Sequence, residues 1–476
     1  MTPTEYLAQD AVGLADLIRR REVSAAEVLD AALARTAQTN PKVNAVIRLL
    51  EDEARAAIAA GLPEGPLSGA PYLIKDLGAQ MKGVPTTSGS RLFKDNIPAA
   101  DNAIVAAYRR AGLVLFGKTN TPELGLEPVT EPELFGPSRN PWGLDRTPGG
   151  SSGGASAAVA AGMVPAAHAS DGGGSIRTPA SCCGLFGLKP SKGRVSFAPA
   201  NEGWGGFSIQ HAVTRTVRDS AALLDAVCQP QPGDPYWLEP PATPFAQEVG
   251  RDPGRLRIGF FTAAINTGEA IDPECAEAVR AAARLCESLG HHVEEARLPG
   301  DIATAATAAG QIIAASIAAV IATEEARRGR PVEEGEIDIV TRAMLARGQG
   351  VSGSDLVRAL QAAHAYGREV ARFHETFDVF LCSTLGSTAI KVGALRGEPL
   401  DLQGYGPRLF AFMPNTQAFN ITGQPAMTVP LAWSQSGLPI GVQFVSRAAD
   451  EATLFRLAGQ LEQAQPWAHR RPAGFQ

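Results

Sequence analysis

The chain has 476 residues, 45% of them hydrophobic and 19% charged, with a formal net charge of -6. That length buries a large core, the composition excludes a disordered chain, and the charge leaves no basic footprint for nucleic acid or an anionic membrane surface. A small, uncharged or weakly charged substrate fits this balance.

The amino terminus, Met1-Thr2-Pro3-Thr4-Glu5-Tyr6, lacks the basic segment and apolar stretch of a secretory signal, and no uninterrupted apolar run reads as long enough to span a bilayer, so a cytoplasmic location is expected. Ser24 and Glu27 form a capping box flanked by Val23 and Val28, which predicts a helix from there to about residue 36. Residues 70–74 read as a short buried strand ending at Lys75-Asp76, residues 101–111 as a helix, and 113–117 as a second strand. The alternation goes on with a helix at 156–161, an extended segment at 164–169 and a helix at 217–227. It resumes as strand 256–261, helix 273–289 and strand 293–296. Long helices are expected over 303–327, whose apolar excess suits packing on a core, and over 353–377. Strands at 426–431 and 440–445 and a helix at 451–462 close the chain. Strands separated by helices imply an α/β fold with a parallel or mixed sheet covered on both faces.

Two turns stand out, Thr147-Pro148-Gly149-Gly150-Ser151-Ser152-Gly153-Gly154 and Ser170-Asp171-Gly172-Gly173-Gly174-Ser175-Ile176-Arg177, both rich in hydroxyls and backbone donors. An α/β-hydrolase elbow needs glycine two places after the serine, and Arg177 stands there. A phosphate loop needs a lysine that the residues after Gly154 do not supply. The seven histidines are dispersed, and the adjacent His291 and His292 would face opposite sides of a strand, so no metal site is expected. The six cysteines, Cys182 and Cys183 among them, form no CxxC pair and read as small buried apolar residues.

A lysine remains as base, since Ser-Lys variants of the serine mechanism use an amine kept neutral by burial. Lys75 ends an apolar segment, although that segment alone reads more readily as a strand-end lysine in solvent. His168, on the expected strand before Ser175, is a packed neighbour and the one histidine that could rival Lys75. Asp171 and Arg177 suit a pair bracing the turn, and Ser152 a turn-stabilising hydroxyl.

The chain resembles the amidase signature enzymes through Gly69-Ala70-Pro71-Tyr72-Leu73-Ile74-Lys75-Asp76, Gly117-Lys118-Thr119-Asn120-Thr121-Pro122-Glu123, Gly149-Gly150-Ser151-Ser152-Gly153-Gly154 and Asp171-Gly172-Gly173-Gly174-Ser175-Ile176-Arg177. Weaker similarity continues to Gly441-Val442-Gln443. The resemblance implies one amidase signature domain over residues 1–476. Within it lie a catalytic core at about 65–230, a second βαβ and helical substrate-side region at about 255–380, and completing strands and helix at about 381–476. It implies Ser175 as nucleophile, Ser151 as bridging serine after a cis peptide bond, and Lys75 as base. The N–H groups of Gly172, Gly173, Gly174 and Ser175 are the implied oxyanion hole. Many relatives carry a larger residue at the position of Gly172, so a looser hole is expected here.

Within the family, Pro137-Ser138-Arg139-Asn140-Pro141-Trp142 and residues 119–125 are most similar to bacterial hydrolases of the 6-aminohexanoate cyclic dimer (nylon oligomer) type. The resemblance implies an amidase for small, largely apolar amides, with carbamate (urethane) or ester cleavage as side activities and no cofactor. Expected pocket residues are Leu126, Ile312, Ile313, Phe412 and Phe419. The chain is expected to act as a monomer or homodimer. Two alternatives stand beside this reading. One is the A subunit of a glutamyl-tRNA amidotransferase, which the absence of an acidic residue in Met413-Pro414-Asn415-Thr416-Gln417-Ala418-Phe419 disfavours. The other is an inactive binding protein, which the presence of Lys75, Ser151 and Ser175 together disfavours.

Overall fold

A computed structural model describes residues 1–200, 202–397 and 400–476. Eleven strands are described, β1 (Val46–Leu49), β2 (Pro71–Lys75), β3 (Val114–Thr119), β4 (Ala166–Asp171), β5 (Phe186–Lys189), β6 (Ile209–Thr214), β7 (Arg257–Phe261), β8 (His292–Glu295), β9 (Val379–Ser383), β10 (Ala426–Trp433) and β11 (Pro439–Ser446). They form one sheet in the order β1-β3-β2-β4-β6-β5-β10-β11-β9-β7-β8. β2 runs parallel to β3 and β4, and β7 parallel to β8 and β9, whereas β4–β6, β5–β10 and β10–β11 are antiparallel. The sheet is therefore mixed, and the βαβ unit at 257–295 extends its far edge through β9.

Pleating assigns the two faces. Tyr72 and Ile74 of β2 and Leu115 of β3 enter one apolar cluster, while Leu73, Val114 and Phe116 enter the other, so helices cover both sides. The same alternation sends Lys75 to the side of Leu73, where Ala157 and Ala158 of the helix Gly153–Ala160 pack. Periodicity in the sequence thus already aims the lysine at the glycine-serine turn that precedes this helix.

Several elements depart from the sequence reading. The first long helix starts at the expected capping box but runs over Ala25–Val43. Thr36, where the sequence reading ended the helix, and Thr39 donate their hydroxyls to Ala32 O and Arg35 O, and the chain leaves at Asn44 in the left-handed conformation. β6 carries no alternation to detect, because its polar Gln210 and His211 are buried with the rest. The helix Ile339–Gln349 owes its start to the Asp338 cap, and Leu402–Phe412 contains two glycines and Pro407. The helix expected over 353–377 ends at Phe373. Ile302–Arg328 is, among the described residues, the one helix with length and apolarity enough to cross a bilayer. Here Ala305, Ala309, Ile312, Ile317 and Ile321 are buried, and the helix packs on Ile339–Gln349 and Gly353–Phe373.

Candidate active site

Lys75 sits at the carboxyl end of β2 with 0% exposure. Its Nζ lies 2.6 Å from Ser151 Oγ, 3.0 Å from Ser152 Oγ and 3.0 Å from Ser170 Oγ. Burial pushes the amine down to about 7, against a smaller upward pull from the Asp171 carboxylate. The alternative of a solvated strand-end lysine is thereby corrected, because the pleat that buries Leu73 also buries Lys75.

The Gly150–Ser151 peptide bond is cis, as the resemblance implied. Glycine is required at 150 by close approach, since a Cβ there would lie 2.6 Å from Val129 N and O. Ser152 Oγ donates to Ser170 O at 3.1 Å and accepts from Ser170 N–H at 3.2 Å. With its proton committed to a carbonyl, Ser152 ties the two turns together. Ser170, the first residue of the second turn, was given no role in the sequence reading, yet it is the third hydroxyl on the amine.

His168 is excluded as a rival by its partners. Its Nδ1 accepts Lys75 N–H at 3.2 Å, which leaves Nε2 to donate to Gln210 Oε1 at 3.2 Å. Burial first, and the nearby Lys75 charge second, hold its pKa down to about 3. It is a neutral ring that fixes the backbone of the lysine.

The turn bearing Ser175 is closed by Asp171 and Arg177, both with no exposed side-chain surface. Nε and Nη2 of Arg177 donate to Oδ2 and Oδ1 of Asp171, each at 2.9 Å, and Ile176 N–H donates to the same carboxylate at 3.1 Å. Burial works to raise the Asp171 pKa, but the Arg177 charge and hydrogen bonds outweigh it and hold the carboxyl at about 2. Arg177 also donates to Thr416 O, Gln443 Oε1 and Asn420 Oδ1, and Asn420 Nδ2 returns to Asp171 O. The guanidinium therefore anchors the turn to β11 and to the loop after Phe412. The brace expected from the sequence is present, with Asn420 and Gln443 as partners the sequence did not reveal.

Ser175 is 9% exposed and opens onto a cavity of about 560 Å³. Among the described residues its hydroxyl makes no hydrogen bond to Ser151, so of the two contacts expected of the bridging serine the structure shows the one to Lys75. The N–H groups of Gly172, Gly173, Gly174 and Ser175 donate to no protein acceptor among the described residues. Gly174 has φ +143°, and a Cβ there would lie 2.3 Å from Thr416 Oγ1, which itself donates to Gly173 O at 2.6 Å. At Gly172 a Cβ would lie 2.6 Å from the Trp204 ring. The space left bare at Gly172 is thus filled by an indole from the Gly203-Trp204-Gly205-Gly206 segment.

Of the expected pocket residues, Leu126 and Ile313 line the cavity. Ile312, Phe412 and Phe419 do not. Ile312 packs toward Phe207 and Ala363, Phe412 faces the cluster beneath the glycine-serine turn, and Phe419 packs on Phe380. Ile312 and Phe412 sit next to the lining residues Ile313 and Met413, and Phe419 two places after the lining Gln417, but each turns its own side chain into a core cluster. The wall is built instead by Trp204, Met344, Leu409, Phe410 and Met413. Glu127 also lines it, held by Arg396, which reaches Asp338 at 2.7 Å as well.

A family profile described as Amidase matches residues 27–455. A 6-aminohexanoate-cyclic-dimer hydrolase of Pseudomonas sp. (strain NK87) is 38% identical, with 98% of this chain and 97% of that protein covered. One of Paenarthrobacter ureafaciens is 39% identical, again over 98% and 97%. A solved structure of 6-aminohexanoate cyclic dimer hydrolase complexed with substrate superposes with TM-score 0.92 at 37% identity, covering 99% of this chain and 100% of that one.

Proposed function

On the premise that the chain belongs to the amidase family, we propose that it hydrolyses the C–N bond of small, largely apolar cyclic and linear amides, and of carbamates, through an acyl-enzyme on Ser175. The observation that carries this reading is the buried 2.6 Å approach of Lys75 Nζ to Ser151 Oγ, with the amine pushed down to about 7.

A neutral amine has two N–H groups and one lone pair. Ser152 Oγ, its own proton given to Ser170 O, accepts one N–H, and Ser170 Oγ accepts the other. The lone pair is then left for the Ser151 hydroxyl. Ser175 Oγ attacks the substrate carbonyl carbon, its proton passes to Ser151, and the Ser151 proton passes to Lys75. The N–H groups of residues 172–175 stabilise the oxyanion, where one donor contributes about 3 kcal/mol. Lys75 returns a proton through Ser151 to the leaving nitrogen, the C–N bond breaks and the amine departs. Water then attacks the ester under the same base, releasing the acid and restoring Ser175. The apolar wall around Trp204, Leu409, Phe410 and Met413 supports an apolar substrate body.

Turnover of 6-aminohexanoate cyclic dimer, its linear oligomers, anilides and dicarbamates, compared with glutamine, tests the proposal. Cleavage of the first group is expected, and activity confined to glutamine contradicts it. A fluorophosphonate probe is expected to label Ser175 in folded protein, and absence of labelling contradicts the acyl-enzyme.

A further inference from the structure

We propose that the cavity selects linear amides whose far end is a carboxylate, with Arg347 as the residue that binds it. This rests on the amidase reading and names the substrate class within it. Arg347, in the last turn of the helix Ile339–Gln349, lines the same cavity as Ser175. Its guanidinium lies over Gly310 of the helix Ile302–Arg328, where a Cβ would stand 3.0 Å from Nη2 and 3.1 Å from Nη1. A bare glycine at 310 is what leaves room for the head to rest against the helix backbone.

Among the described residues Arg347 makes no side-chain hydrogen bond and no ion pair, and it is exposed. The other charge on the wall, Glu127, is taken by Arg396. The cavity therefore presents an uncompensated positive charge beside an apolar surface formed by Ile313, Met344, Leu409 and Phe410. A guanidinium fork matches a carboxylate in two parallel hydrogen bonds, and an apolar border strengthens that pairing over one in open water. With the scissile carbonyl at Ser175, the ligand that uses both features is an N-acyl amino acid whose acid group is separated from the amide by an apolar chain. A neutral cyclic amide has no group for Arg347.

The test compares kcat/KM for 6-benzamidohexanoate with that for the neutral 6-benzamidohexanol in wild type, Arg347→Leu and Arg347→Lys. Wild type is expected to favour the acid by about tenfold, the scale of one charge-assisted contact at a partly exposed site. Arg347→Leu abolishes that ratio whatever factor both substrates share, Arg347→Lys keeps part of it, and added salt lowers it in wild type. A wild-type ratio near one, or a ratio unchanged by Arg347→Leu, overturns the inference. Calorimetric binding of 6-benzamidohexanoate to the Ser175→Ala variant, with and without Arg347→Leu, needs no turnover. Weaker binding without the arginine supports the carboxylate site even if neither compound is cleaved, in which case the amidase reading alone has failed. Equal binding overturns the site even if both are cleaved.

Discussion

Lys75 Nζ and Ser151 Oγ face each other at 2.6 Å with both side chains buried, and in the proposed mechanism turnover depends on the protonation state of that buried amine. A buried lysine held down to about 7 is protonated below that pH and neutral above it. Only the neutral form accepts a proton, so kcat/KM on an anilide rises with pH through about 7 and levels off above. A profile measured from about pH 5.5 to about 9 checks this, the free-enzyme limb reporting the base. A limb that falls with rising pH through 7 contradicts the assignment.

The histidine nearest the lysine is expected not to carry that limb. His168 stays neutral down to about 3 and supports Lys75 N–H through Nδ1. His168→Gln retains the limb near 7, with turnover reduced by about tenfold or less through loosened positioning of the base. Loss of the limb in this variant, measured on protein with native circular dichroism, transfers the base to the imidazole.

Asp171 compensates a guanidinium with no access to water. Asp171→Asn leaves that charge buried without its counter-ion, which costs about 3–5 kcal/mol of folding stability. Urea unfolding measures the loss. A change under about 1 kcal/mol means that the neutral partners of Arg177 carry the brace by themselves.

Gly174 adopts a backbone conformation that L side chains rarely take, and its missing side chain leaves room for Thr416. Gly174→Ala forces the turn away from Thr416 and misaligns the oxyanion donors, lowering kcat by about a hundredfold or more. Substrate binding is a readout that separates this from pocket damage, because the donors act on charge that develops after binding. A KM increase with kcat unchanged contradicts the oxyanion role.

What the sequence revealed was local. The capping box at Ser24, the apolar strand before Lys75 and the two glycine-serine turns each carry their signal within a few residues, and all are found where they were read. The partners of Arg177 are Thr416, Asn420 and Gln443, some 240 to 270 residues away, and no spacing rule joins them to Asp171. The pocket failed for a related reason. Ile313 and Ile312 are adjacent apolar residues on one helix, and only the packing of Gly353–Phe373 against that helix decides which one faces the cavity. Trp204 had a faint signal, an aromatic flanked by glycines, whose meaning depends on Gly172 lying opposite.

Turnover by Lys75→Met is the most direct probe, since methionine fills the buried volume of the lysine stem without an amine to accept the proton. With native unfolding behaviour established, kcat on an anilide at neutral pH is expected to fall by about a thousandfold or more, and the limb near 7 to vanish. A variant that keeps wild-type turnover to within a few-fold would show that the proton of Ser175 goes elsewhere.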